Sequence, residues 1–200
     1  MINICIVFDH LFKDQQMLSL NNLKLRPMDE TDLEMVLKWR NSDEVRQYML
    51  SNAIIEPETH LNWFKKNSTD YTVELFIAEY ETIPIGVVSI TDIDSKNQTC
   101  TWGMYIGESF RNSGIGVLMQ IRAIDRMVNI HNIRKIWGQA LSSNRIIKMH
   151  EQFGFRKEGI LELHIERNGN FEDILLVALF ANQWPKNRQK IIDTFQIKEI

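Results

Sequence analysis

The sequence predicts an α/β chain built on a mixed, mostly antiparallel sheet with helices packed on it. Three patterns point there. Segments 71–80, 84–93 and 99–106 alternate apolar with polar or small residues around a short polar tip at 79–82, which reads as a three-stranded meander. Apolar residues at helical spacing fill 29–41, 57–66 and 115–128, placing helices on either side of that meander. Two long strand-like runs, 155–166 and 171–180, flank Asn168-Gly169-Asn170, a strong hairpin signal.

In chain order, segment 1–22 is assigned to an N-terminal extension in which 4–8 is either an extra edge strand or loosely packed chain. The domain proper is expected over 23–182 and opens on a strand at Leu23 that Pro27 ends. Helix 29–41 has Asp29 or Thr31 as cap, acidic residues in its first turn, and Leu33, Val36, Leu37 and Trp39 on its apolar face. Short helices follow at 43–49 and, with Pro57 in its first turn, at 57–66. After helix 115–128 come a strand at 133–140 and a helix at 143–153 that Gly154 stops in a left-handed conformation. Segment 183–200 is charged and expected to be a surface helix or partly frayed tail.

Two hundred residues are enough to bury a core without staples. A net charge of −3 argues against a nucleic-acid partner, which calls for a basic excess. Cys5 and Cys100 are the only cysteines and lack metal-site or disulfide-framework spacing, so no metal is expected and a reducing cytoplasm is the natural compartment. No apolar run reaches the length of a membrane span, and 2–8 is too short for a signal peptide.

The stretch 99–117 organises the rest. Its strand, with Trp102, Met104, Tyr105 and Ile106, runs into Arg111, Asn112, Ser113, Gly114, Ile115, Gly116 and Val117 at a helix start. Gly114 and Gly116 allow positive φ and close backbone approach, so successive N–H groups can converge on the positive end of a helix dipole. That arrangement suits a phosphate or pyrophosphate, although a strand followed by a G-x-G also forms plain tight turns. The dinucleotide fingerprint is ruled out because Met119 stands where a third glycine belongs, and Val117 and Leu118 exclude a P-loop.

What remains, R-x-x-G-x-G, resembles the acetyl-CoA-binding motif of the Gcn5-related N-acetyltransferases, and the resemblance spans about residues 23–180. It implies the GNAT (acyl-CoA N-acyltransferase) fold, with the central sheet splayed between its fourth and fifth core strands. Acetyl-CoA is the implied co-substrate. Amides of 111–117 would hold its pyrophosphate, and backbone around Met104, Tyr105 and Ile106 would pair with its pantetheine arm. The family also places Asn at a helix start, a Tyr general acid about two turns on, and then Glu-x-x-Gly-Phe. Glu151, Gly154 and Phe155 match; the Asn falls on Ser143 unless one residue is missing, in which case it is Asn144; and His150 replaces the Tyr. His150 is therefore either the acid, if its imidazolium persists near working pH, or a packed helix residue. The strand position where many members carry a Glu base is Gln139, which can orient a water but cannot accept a proton.

Acceptor choice falls to the first helices. Arg40, Asn41, Arg46, Met49, His60 and Trp63, with Ser89 and Thr91 on the third strand, resemble the acetyltransferases of the pseudaminic-acid pathway. Those enzymes acetylate the 4-amino group of a UDP-linked 4-amino-4,6-dideoxy sugar used in flagellin or surface-glycan synthesis. Arginines beside aromatics suit a diphosphate and a base, while the alternative is that Trp39 and Trp63 are core and the arginines solvated. Ribosomal-protein N-terminal and polyamine acetyltransferases stay open as rivals, as does a non-catalytic acetyl-CoA sensor. The last hairpin and charged tail permit a homodimer.

Overall fold

A computed structural model describes residues 18–107 and 113–199. Arg111, Asn112, Cys5 and the strand weighed at 4–8 lie outside the described residues. The elements are β1 (Leu23–Pro27), α1 (Leu33–Asn41), α2 (Asp43–Arg46), α3 (Pro57–Ser68), β2 (Glu74–Tyr80), β3 (Ile83–Asp94), β4 (Thr99–Ile106), α4 (Ile115–Asn129), β5 (Lys135–Leu141), α5 (Ile146–Gln152), β6 (Arg156–Arg167), β7 (Asn170–Phe180) and α6 (Trp184–Phe195). They form a seven-stranded sheet in the order β1-β2-β3-β4-β5-β7-β6. Every neighbouring pair is antiparallel except β4 and β5.

Local chemistry explains the boundaries. Asp29 caps its helix as expected, accepting the Thr31 N–H while Asp32 accepts the Asp29 N–H; the first turn, Glu30–Asp32, is 3-10 before α1 begins. The strand expected from residue 71 starts at Glu74, because the Asp70 carboxylate accepts the Thr72 N–H in a turn. The helix expected over 43–49 is α-helical only to Arg46. Asn168 and Gly169 both take positive φ, the requirement of a tight two-residue hairpin between β6 and β7.

Two segments differ from the sequence reading. The helix expected from 143 begins at Ile146, since Asn144 Oδ1 accepts the Ile146 N–H at 3.0 Å and holds the chain in a turn first. The tail is a helix, but one face of it is core: Trp184, Ile191, Ile192 and Ile197 are buried. Its charges are engaged as well, with Trp184 Nε1 and Arg188 both donating to Asp125 of α4. Beyond it, Lys198 exchanges backbone hydrogen bonds with Leu18 and Leu20.

The main core lies between α4 and the sheet. Leu118, Met119, Ile121, Ala123, Ile124 and Met127 of α4 are fully buried against Val88, Ile90, Cys100 and Ile136. A second cluster of Val36, Trp39, Phe64, Ile77 and Val87 fixes α1 and α3 on the opposite face. Among the described residues no helix is long and apolar enough to cross a membrane.

Candidate active site

β4 and β5 pair only over Thr99–Thr101 with Lys135–Trp137. Past that point β4 keeps β3 as its sole neighbour through Ile106, and β5 keeps β7 through Leu141. Two strand edges therefore face one gap with their peptide groups free to pair with an extended ligand. The N-terminus of α4 packs against the open end of β4. A Cβ added to Gly116 would lie 3.1 Å from Ile106 Cδ1 and 3.7 Å from Met104 Cε, so any larger residue would press on the ends of these two side chains. Gly114, with φ 79°, turns the chain into the helix, and Ser113 Oγ accepts the Ile115 N–H. At the other end of the loop, Gly107 sits under Trp39, whose ring would come 2.5 Å from any Cβ there.

The gap opens into a cleft of about 410 Å³. Its floor is Trp102, Met104, Tyr105 and Ile106 of β4 with Gly138, Gln139 and Ala140 of β5. Asn144, Ile146 and His150 form one side, and Glu44, Val45, Tyr48, Met49 and Leu50 the other.

His150 is held by neutral neighbours. Its Nδ1 lies 3.2 Å from Gln120 Nε2, Trp102 meets the ring edge-on at 5.5 Å, and Phe155 packs at 5.1 Å. Burial lowers the imidazole to about 4. The ring is neutral at pH 7, so the imidazolium donor weighed from the sequence does not fit this environment. Gln139 is exposed at the cleft, beyond the last β4–β5 pair, and no carboxylate replaces it among the floor residues. Cys100 is fully buried beneath the sheet, with its thiol pushed up to about 12 by burial, and is inert as a nucleophile.

The acceptor residues read from sequence divide sharply. Met49 and Ser89 line the cleft. Arg40, Asn41, Arg46, His60, Trp63 and Thr91 do not; the chain uses most of them on itself. Arg40 donates to the Ser51 carbonyl, Asn41 makes paired hydrogen bonds with the backbone of Ile55, and Arg46 donates to the Asn52 carbonyl and pairs with Asp43. Together they shape the loop 47–56. His60 is buried and stacked on Trp63 at 5.2 Å, and burial, then the nearby Arg40 charge, lowers its pKa. Thr91 shares its hydroxyl with Thr101 across the β3–β4 pair.

Two groups escaped the sequence reading. Arg167, buried at the end of β6, donates to the carbonyls of Arg46 and Gln47 and pairs with Glu172 at 3.0 Å, pinning the turn that carries Tyr48. Gln120 sits in the middle of an apolar helix face, and a polar residue out of pattern was the only sign of it.

The profile described as "Acetyltransferase (GNAT) domain" matches residues 22–156. The chain is a GNAT acetyltransferase. The crystal structure of spermidine N-acetyltransferase from Vibrio cholerae in complex with CoA and spermine superposes with a TM-score of 0.77 at 20% identity, covering 82% of this chain and 99% of that one. Among curated proteins, spermidine N(1)-acetyltransferase of Escherichia coli (strain K12) is 21% identical over 167 residues, 83% of this chain and 90% of its own length. Acetyltransferase PseH of Campylobacter jejuni (strain 81-176) is 24% identical over 129 residues, 64% of this chain and 79% of its own. GNAT enzymes take their acyl group from acetyl-CoA. The splayed edges of β4 and β5 and the glycine-entered N-terminus of α4 fit that donor, and Tyr48, Met49 and Leu50 line the same cleft.

Proposed function

We propose that this GNAT acetyltransferase works in the cytoplasm on the 4-amino group of a UDP-linked 4-amino-4,6-dideoxy sugar, in pseudaminic-acid synthesis for flagellin or surface glycans. The observation that carries the reading is the character of the cleft lining. Tyr48, Met49, Leu50 and Trp102 are apolar or aromatic, Ser89, Gln139 and Asn144 are neutral and polar, and Glu44 is the one carboxylate among the lining residues. A deoxysugar offers a methyl group to such a wall and hydroxyls to its neutral polar groups. Arg145, exposed beside the mouth and donating to the Tyr48 hydroxyl at 2.9 Å, supplies a cation for a diphosphate.

The acceptor amine, once neutral, attacks the thioester carbonyl directly. A C–N bond forms, the C–S bond breaks with its electron pair leaving on sulfur, and the surplus ammonium proton passes to water. A thiol of pKa about 8.5 leaves readily without a strong acid. No enzyme acyl intermediate is needed, consistent with the buried thiol of Cys100.

A polyamine acceptor is the second reading. It is favoured by the spermidine acetyltransferases among the relatives and by Glu44 at the cleft. A thiol-release assay with acetyl-CoA against aminosugar nucleotides, spermidine and N-terminal peptides separates the two. Turnover of the aminosugar nucleotide well above the others supports the proposal, and preference for spermidine overturns it.

A further inference from the structure

Helix α4 carries one polar side chain into the centre of the core. Gln120 is fully buried between Met119 and Ile121, its Nε2 is 3.2 Å from His150 Nδ1, and its Oε1 has no hydrogen-bond partner. An amide has no packing reason to sit there, since every neighbouring helix position on that face is apolar. What it touches is the one ionisable group of the cleft that stands where the family's acid stands.

We propose that Gln120 is a positioning residue that locks His150 in the tautomer carrying its proton on Nε2, so that a neutral imidazole offers a hydrogen-bond donor to the cleft. The proposal rests on the reading of this cleft as the site of acetyl transfer. Accounting for the amide decides the tautomer. With Nε2 of Gln120 donating to Nδ1, the only group left over is a carbonyl oxygen. Turning the amide over would bury an NH₂ without an acceptor, and buried donors without partners are rarer than under-used carbonyls. Nδ1 is thus the acceptor, the ring proton lies on Nε2, and Nε2 makes no hydrogen bond to the described residues.

The ring's surroundings keep it in that form. Trp102 from β4, Phe155 at the entry to β6 and Gln120 from α4 are its neighbours, and none carries a charge. Glu151, next along α5, is exposed. A neutral N–H cannot hand its proton to a thiolate, but it stabilises negative charge developing on the thioester oxygen or the departing sulfur. The same use of an un-ionised imidazole is known where a ring is kept neutral beside a reacting carbonyl. In this scheme the thiolate takes its proton from water after it leaves.

Imidazole ¹⁵N NMR on the full chain tests the lock without reference to turnover, with His150→Phe assigning the signal. At pH 7 the expected spectrum has a bare Nδ1 and a protonated Nε2, unchanged down to about pH 5. A proton on Nδ1, or signals averaged between the two forms, overturns the proposal. Gln120→Leu is expected to average the tautomers and lower kcat roughly 10- to 100-fold, with KM for acetyl-CoA unchanged. Gln120→Glu, whose carboxylate requires a proton on Nδ1, is expected to reverse the tautomer and bring a titration limb into the neutral range. A wild-type spectrum in Gln120→Leu overturns the lock even in an active enzyme. The expected spectrum combined with full kcat in His150→Phe leaves the dyad standing and overturns its role as donor.

Discussion

The two sides of the cleft are built by different means. The side proposed for the coenzyme is made of backbone: strand edges that part after Thr101 and Trp137, and a helix start brought close by Gly116. The side proposed for the acceptor is made of side chains that grip loops. Arg40, Asn41 and Arg46 hold 51–55 from within, and Arg167 reaches across from the last hairpin to hold Arg46 and Gln47. Backbone geometry tolerates sequence change as long as glycines and strand order survive. A loop held by arginines is remodelled whenever one of its anchors changes.

That contrast can be broken most forcefully at Gly116. Gly116→Val places carbons where Ile106 and Met104 already stand, and is expected to weaken CoA binding at least 100-fold by calorimetry. Circular dichroism should still report the fold. A coenzyme affinity within a few-fold of wild type would show that the close approach is dispensable.

The next effect is on stability. Burial holds His150 at about 4 against an ordinary value near 6.5, so the unfolded chain binds a proton in that interval while the folded chain does not. Stability contributed by the neutral ring is complete above pH 6.5 and is lost as pH falls toward 4, by on the order of 2–3 kcal/mol. Urea unfolding of wild type and His150→Phe between pH 7 and 4.5 should show a steeper decline in the wild type. Parallel curves would place the imidazole in contact with water.

Arg167→Met should then separate the two sides. Losing charged hydrogen bonds to two carbonyls costs about 1.5–3 kcal/mol, expected mainly as a 10- to 100-fold rise in acceptor KM. The coenzyme dissociation constant should stay put, and a matching loss of CoA affinity would mean the two sides are not independent. Glu44→Gln, at the exposed rim, is the mildest test: an aminosugar acceptor predicts less than a threefold change, whereas a polyamine acceptor predicts a clear rise in KM.

The same division explains what the sequence disclosed. Glycine spacing, strand alternation and the Asn168-Gly169 turn report backbone conformation, and through them the sheet and the glycine-entered start of α4 were readable. Arg40, Arg46 and His60 have residue types that suit a phosphate, yet the structure sets them off the cleft lining and against the chain itself. No local pattern reveals that a carbonyl eleven residues on accepts from the Arg40 guanidinium, or that Trp63 stacks on His60. Gln120 and Arg167 were invisible for the same reason: each acts on a partner distant in sequence, His150 thirty positions away and Gln47 one hundred and twenty. The last helix is the surface helix its charges suggest, but those charges hide an apolar stripe at Trp184, Ile191 and Ile192 that joins the core.

That helix bears on chemistry it never touches. Trp184 stacks on Phe153 at 6.1 Å, and Asn187 fills the space over Gly154, so the turn that ends α5 is gripped from behind. Phe155, one residue further, is the wall of the His150 ring. Clipping the chain ahead of Trp184 would therefore blunt turnover from some distance, leaving every cleft residue in the sequence and none of them firmly aimed.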